Sequence, residues 1–216
     1  MKKILVIAPH PDDEVLGCGG MIKRYVNEGD EAFLCVVTKA YAPDWTEKYL
    51  KDKAVDIKKS NAVLGFKKTY FLELPTVKLD TIPQKELNDK ISEVIEEVDP
   101  EILYIPYVGD LNQDHRLVFE ACLVSARPFR NKIKKILAYE TPSGAAWGVK
   151  QFMPTLYMDI TETLKDKLKA MACYKSELRK YPHPRSLEGI TVMAKKRGVE
   201  SGLLAAEAFI IIREII

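Results

Sequence analysis

No stretch of this sequence approaches the roughly 20 consecutive apolar residues that a bilayer-crossing helix needs, so no membrane span is expected. The apolar run behind Met1-Lys2-Lys3 is short, meets His10 and Asp12, and leads to no small-residue cleavage site. A secretory leader is therefore not expected, and a cytoplasmic location is. An excess of one charge is missing too. Lys plus Arg at 33 against Asp plus Glu at 31 leaves a formal +2, without the clustered basic surplus of a nucleic-acid groove. The lysines alternate with acids, as in KDKAVDIKKSNAVLG, the pattern of a solvated helix face. Cysteine is sparse: Cys18, Cys35, Cys122 and Cys173 form no CxxC pair, which argues against a thiolate metal site and for buried free thiols. Histidine is sparser, at three. Repeats, low-complexity tracts and linkers are absent. The 216 residues, 47% hydrophobic and 30% charged, read as one domain over 1–216.

What is present is an alternation of strand and helix. Apolar or β-rich runs at Lys3–Ala8, Glu31–Thr38, Thr69–Leu74, Glu101–Tyr107 and Ile133–Glu140 read as strands, with further strands at Thr155–Ile160 and Ala208–Ile212. Helices are expected over Glu14–Asn27, Glu47–Leu64, Pro83–Val98, Leu117–Arg127, Thr161–Leu178 and Leu187–Lys196. Gly65 stands at a C-cap position, and Thr163 with Asp166 at capping-box spacing. Continuous apolar strands alternating with helices imply an α/β fold: a Rossmann-like three-layer α/β/α sandwich with a mostly parallel sheet. Ligands bind such sheets outside the carboxyl ends of the strands.

Two of those strand ends carry unusual charge. The first runs into PHPDDE, where Pro9 and Pro11 hold His10 in extended chain, and Asp12, Asp13 and Glu14 open a helix. Acids at a helix start suit the macrodipole, and Asp12 as an N-cap would account for one of them. That explanation leaves His10 unused. The fourth strand runs into GDLNQDH, placing His115 on the same sheet edge. Catalytic zinc is held by three protein ligands drawn from His and carboxylate, with one position open. His10 and Asp13 can supply two, and His115 is the histidine positioned to supply the third.

AxHPDDE followed by GCGG, with DLNQDHR, PHPRS at Pro182–Ser186, KKRG at Lys195–Gly198 and AEAF at Ala206–Phe209, resembles the LmbE-like or PIG-L family of zinc-dependent N-acetylglucosaminyl deacetylases. The resemblance spans nearly the whole chain. It implies a single Zn2+ on His10, Asp13 and His115, Asp12 as general base and then acid, and hydrolysis of the N-acetyl group of a glucosamine-type sugar or conjugate. Bound zinc lowers the pKa of its water to about 7 and polarises the amide carbonyl. The partner expected is thus a small N-acetylated amino sugar. Two competitors remain: a same-fold amidase acting on another amide, such as a sugar-thiol conjugate, and a non-catalytic Rossmann-like binding domain. Apolar stretches in the C-terminal third leave room for a homo-oligomer.

The chain departs from the family at the second cluster, where many relatives carry His-x-Asp-His and this sequence has Asn112-Gln113-Asp114-His115. Asn112 offers only an uncharged donor. Oxyanion support then falls to Asn112, to the metal, or to His183 of PHPRS, with metal and His183 together preferred. Asp114 is expected to orient a ligand or substrate group, its alternative being a helix N-cap. Substrate contacts are assigned to Arg185 and Arg197, with solvated surface as the alternative, and to Trp147, with core or interface packing as the alternative. GCGG lacks the GxGxxG spacing and follows acids that would repel a pyrophosphate, so close approach of helix to sheet, or of substrate to backbone, explains it better.

Overall fold

Val, Ile and Leu fill Lys3–Ala8. In the computed structural model, which describes Met1–Ile216, this run is strand β1, buried throughout after Lys3. The order continues α1 (Asp13–Asn27), β2 (Glu31–Lys39), α2 (Glu47–Leu64), β3 (Lys68–Pro75), α3 (Gln84–Val98), β4 (Ile102–Pro106), α4 (Gln113–Ser125) and β5 (Lys135–Tyr139). A four-residue α5 (Gly144–Trp147), β6 (Leu156–Asp159), α6 (Leu164–Cys173), α7 (Leu187–Ser201) and β7 (Ala206–Glu214) complete the chain. A 3₁₀ turn at Leu79–Thr81 precedes α3.

The strands form one seven-stranded sheet in the order β3-β2-β1-β4-β5-β7-β6, parallel except that β7 runs antiparallel to both neighbours. Successive β1 residues divide between two cores, as a pleated strand covered on both faces must. Ile4, Val6 and Ala8 pack with α1 and α6, whereas Leu5 and Ile7 pack with α3 and α4. The expected three-layer sandwich is the fold observed.

Order reverses between β1 and β4, and at such a switch point the connections leave in opposite directions and open a crevice. The loops after β1 and β4 are the two that carry His10 and His115. Glycine brings α1 close to this crevice: a Cβ on Gly17 would lie 2.2 Å from the Tyr139 ring. The GCGG segment thus serves helix-to-sheet approach.

Several boundaries differ from the sequence reading. Helix α4 begins at Gln113, not Leu117, because Asn112 caps it by accepting from the Asp114 backbone N–H at 3.0 Å. The cap is therefore Asn112, and the alternative placing Asp114 there is corrected. Helix α6 stops at Cys173, short of the expected Leu178. Thr163 makes no capping box; its hydroxyl donates to Gly20 O at 2.7 Å instead. Helix α7 continues to Ser201, capped at its start by the Ser186 hydroxyl. Gly65 does end α2, at φ 88°.

Candidate metal centre

Three side chains from the two loops meet at one point. His10 Nδ1, Asp13 Oδ2 and His115 Nε2 form a triangle with all three edges at 3.2 Å. Ligand atoms about 2.0–2.1 Å from a tetrahedral cation stand roughly 3.3 Å apart, so this spacing fits a zinc-sized ion with one face left open. Nitrogen and carboxylate donors also suit that ion. Asp13 and His115 are buried and His10 half-buried.

Each imidazole presents its second nitrogen to another carboxylate. His10 Nε2 lies 2.9 Å from Asp114 Oδ2, and Asp114 is itself fixed by the Val77 N–H at 2.7 Å. His115 Nδ1 lies 3.2 Å from Asp110 Oδ2, off the direction of a good hydrogen bond. Asp110 accepts from the Thr141 hydroxyl at 2.6 Å and the Asn112 N–H at 2.8 Å. Gly144 is obligatory beside it, since a Cβ there would stand 2.1 Å from Asp110 Oδ1. Carboxylates behind ligating histidines set their tautomer and orientation.

The electrostatics follow from this crowding. Burial opposes charge on His10, but the Asp114 hydrogen bond and the Asp13 carboxylate outweigh it and raise its pKa to about 9. Burial likewise opposes charge on His115, yet Asp13 and Asp110 raise it to about 10. Asp13 is driven well below the usual carboxylate range: burial works against this, and the two imidazoles prevail. Asp12 moves the other way. Burial first and the Asp13 charge second push it well above its ordinary value, while Lys53 and Arg185 pull it down.

Asp12 and Asp13, though adjacent, face different partners. Asp12 has φ 121°, a conformation costing of order 1–3 kcal/mol for a residue with a side chain. Its side chain makes no cap on α1; its Oδ2 stands 3.7 Å from Arg185 Nη1. Asp12 thus holds the N-cap position of α1, but the expectation that its carboxylate does the capping is corrected. Asp12, Asn112 and Arg185 share with the triangle a cavity of about 340 Å³. Along its wall, Glu177 gathers Lys53 at 2.5 Å, Tyr49 at 2.9 Å and Arg185 at 3.1 Å.

The other expected residues stand elsewhere. His183 does not line the cavity; its ring meets Trp147 edge-on at 5.9 Å, and its Nδ1 accepts from the Arg185 N–H. Trp147 is 59% exposed and also outside the lining. Arg197 as a substrate contact is corrected: it is buried, clamped on Glu140 by two bonds of 2.7 and 2.8 Å and on Glu200 by a third. The sequence reading gave Asp110, Lys53 and Glu177 no role, and Glu14 only that of an acid at a helix start. The charge that follows the fourth strand was the available signal for Asp110 and the PHPDDE motif that for Glu14; Lys53 and Glu177 had none.

The switch point of the α/β sheet thus carries a His–Asp–His cluster that could hold a metal ion, backed by carboxylates and with the Asp12 carboxylate beside it. Residues 5–126 match the family described as PIG-L: GlcNAc-PI de-N-acetylase, and the chain belongs to that family of deacetylases. It is 32% identical over 185 residues to the uncharacterized deacetylase YaiS of Escherichia coli (strain K12), covering 81% of this chain and 91% of that protein. It is 29% identical over 192 residues to the diacetylchitobiose deacetylase of Thermococcus kodakarensis, covering 82% of this chain and 70% of the relative. In fold it is similar to a conserved protein from Thermus thermophilus, with a TM-score of 0.82 at 22% identity, covering 100% of this chain and 97% of that one.

Proposed function

We propose that this chain is a zinc-dependent hydrolase, with one Zn2+ per chain, that removes the N-acetyl group from an N-acetylglucosamine-type sugar or sugar conjugate. The observation that carries the reading is the 3.2 Å triangle of His10, Asp13 and His115 with Asp12 in the same cavity. Family membership and similarity to a diacetylchitobiose deacetylase support the substrate class.

A divalent cation on those three residues supplies a polarised amide carbonyl and a water of lowered pKa. The chain's own groups do the rest. Burial and the Asp13 charge raise the Asp12 carboxyl in the metal-free chain; Lys53 and Arg185 oppose that shift, and a bound cation would add to their pull toward ionisation, so that the carboxylate takes a proton from the attacking water. The same carboxyl then returns that proton to the departing nitrogen, without which an amide loses its amine poorly. Asp114 and Asp110 hold the imidazoles in register. Asn112 commits its Oδ1 to the α4 cap, leaving its Nδ2 donors, on a residue lining the cavity, for the oxyanion. His183 would have to leave Trp147 to share that work.

Acetate release from a panel of N-acetylated amino sugars, with metal content measured alongside, tests the proposal. Release that tracks about one zinc per chain is the expected result. A metal-loaded protein that frees acetate from none of them, or cleaves only other amides, contradicts it.

A further inference from the structure

Glu14 has no place in the chemistry above, yet it is fully buried beside it. An acid in the first turn of a helix ordinarily faces solvent and gains a little from the dipole. Here the whole carboxyl is enclosed, and burial lifts its pKa to about 7. Its two oxygens have separate partners. Oε1 accepts from the Tyr174 hydroxyl at 2.6 Å, and Oε2 accepts from the Asp12 backbone N–H at 3.0 Å. Tyr174 follows the last residue of α6 and is fully buried, so it is a fixed anchor.

That second bond falls on the one residue of the segment with strained backbone, Asp12 at φ 121°. In this conformation the Asp12 carboxyl stands 3.7 Å from Arg185 Nη1, while the Asp13 carboxylate meets the two imidazoles. We propose that Glu14, braced by Tyr174, is a positioning residue: it holds the Asp12 peptide in its strained conformation and so aims the Asp12 carboxyl at the reacting groups. The inference rests on the reading of Asp12 as base.

Crystal structures of Glu14→Ala and Glu14→Gln, with steady-state kinetics and metal analysis, test this. In Glu14→Ala, Asp12 should relax to negative φ while the metal stays bound. On the best substrate of the panel, kcat should fall about a hundredfold with KM within about twofold, the scale of a misplacement of about 1 Å. Glu14→Gln keeps an acceptor for the Asp12 N–H and turns its amide toward the Tyr174 oxygen, so it should recover to within about fivefold of the parent. Tyr174→Phe, which removes only the brace, should fall between the two. Asp12 still at positive φ in Glu14→Ala overturns the proposal, as does undiminished kcat, loss of the metal, or a Gln variant as impaired as the Ala one. If the parent cleaves no substrate, the functional reading has failed, and the Asp12 backbone in the Ala structure still decides this one.

Discussion

Asp12 and Asp13 are chemically identical neighbours with opposite acidities, one raised by burial and the other lowered by two imidazoles. Their substitutions should separate in the same way. Asp12→Asn is expected to bind metal as the parent does and to lose about 10²- to 10⁴-fold in turnover, the usual range for a general acid–base. Loss of the metal in that variant would place Asp12 among the ligands. Asp110→Asn should weaken metal affinity about 10- to 100-fold through His115, the usual effect of removing such an orienting partner; calorimetric titration with zinc reads it, and an unchanged affinity would leave Asp110 a purely structural role. His10, Asp13 and His115 were legible because spacing and strand ends announce them. Arg197 was misread because a cation in sequence looks the same whether it meets solvent or a buried Glu140.

At the scale of elements, the loop after β4 governs the site. The cluster depends on α4 starting early enough to carry Asp114 and His115 in its first turn, and the Asn112 cap sets that start. Asn112→Ala should cost about 0.5–2 kcal/mol of stability, the usual effect of a lost N-cap. Urea unfolding measures it; no change would mean that α4 is fixed by packing alone. Strand and helix identities were largely readable from apolar runs. The early start of α4 was not, because NQDH reads equally as loop until the cap is seen. Nor was the stop of α6 at Cys173, since the apolar pattern continues past it.

For the whole molecule, parallel alternation predicted the sandwich, but the insertion of β7 between β5 and β6 was beyond reach. That pairing joins residues such as Tyr139 and Phe209, and no local pattern encodes a partner so distant. Global stability carries the site's signature through linkage. Neighbouring carboxylates outweigh burial and raise His10 to about 9 and His115 to about 10 from an ordinary 6.5. Raised values stabilise the fold fully below about pH 6.5, and that contribution is lost as pH climbs through 9 to 10. Metal-stripped protein should therefore lose Tm between about pH 7 and 10. A cation competes with those protons, so the Tm gained on adding zinc should be larger at pH 9 than at pH 6.5. An equal or smaller gain at pH 9 would mean that protons and metal do not share these residues.

Anomalous diffraction from zinc-soaked crystals, collected on both sides of the zinc absorption edge, reaches the central claim most directly. A single strong peak is predicted about 2.0–2.2 Å from His10 Nδ1, Asp13 Oδ2 and His115 Nε2 together. A peak bound elsewhere, or none at those three atoms in saturated crystals, would contradict the account.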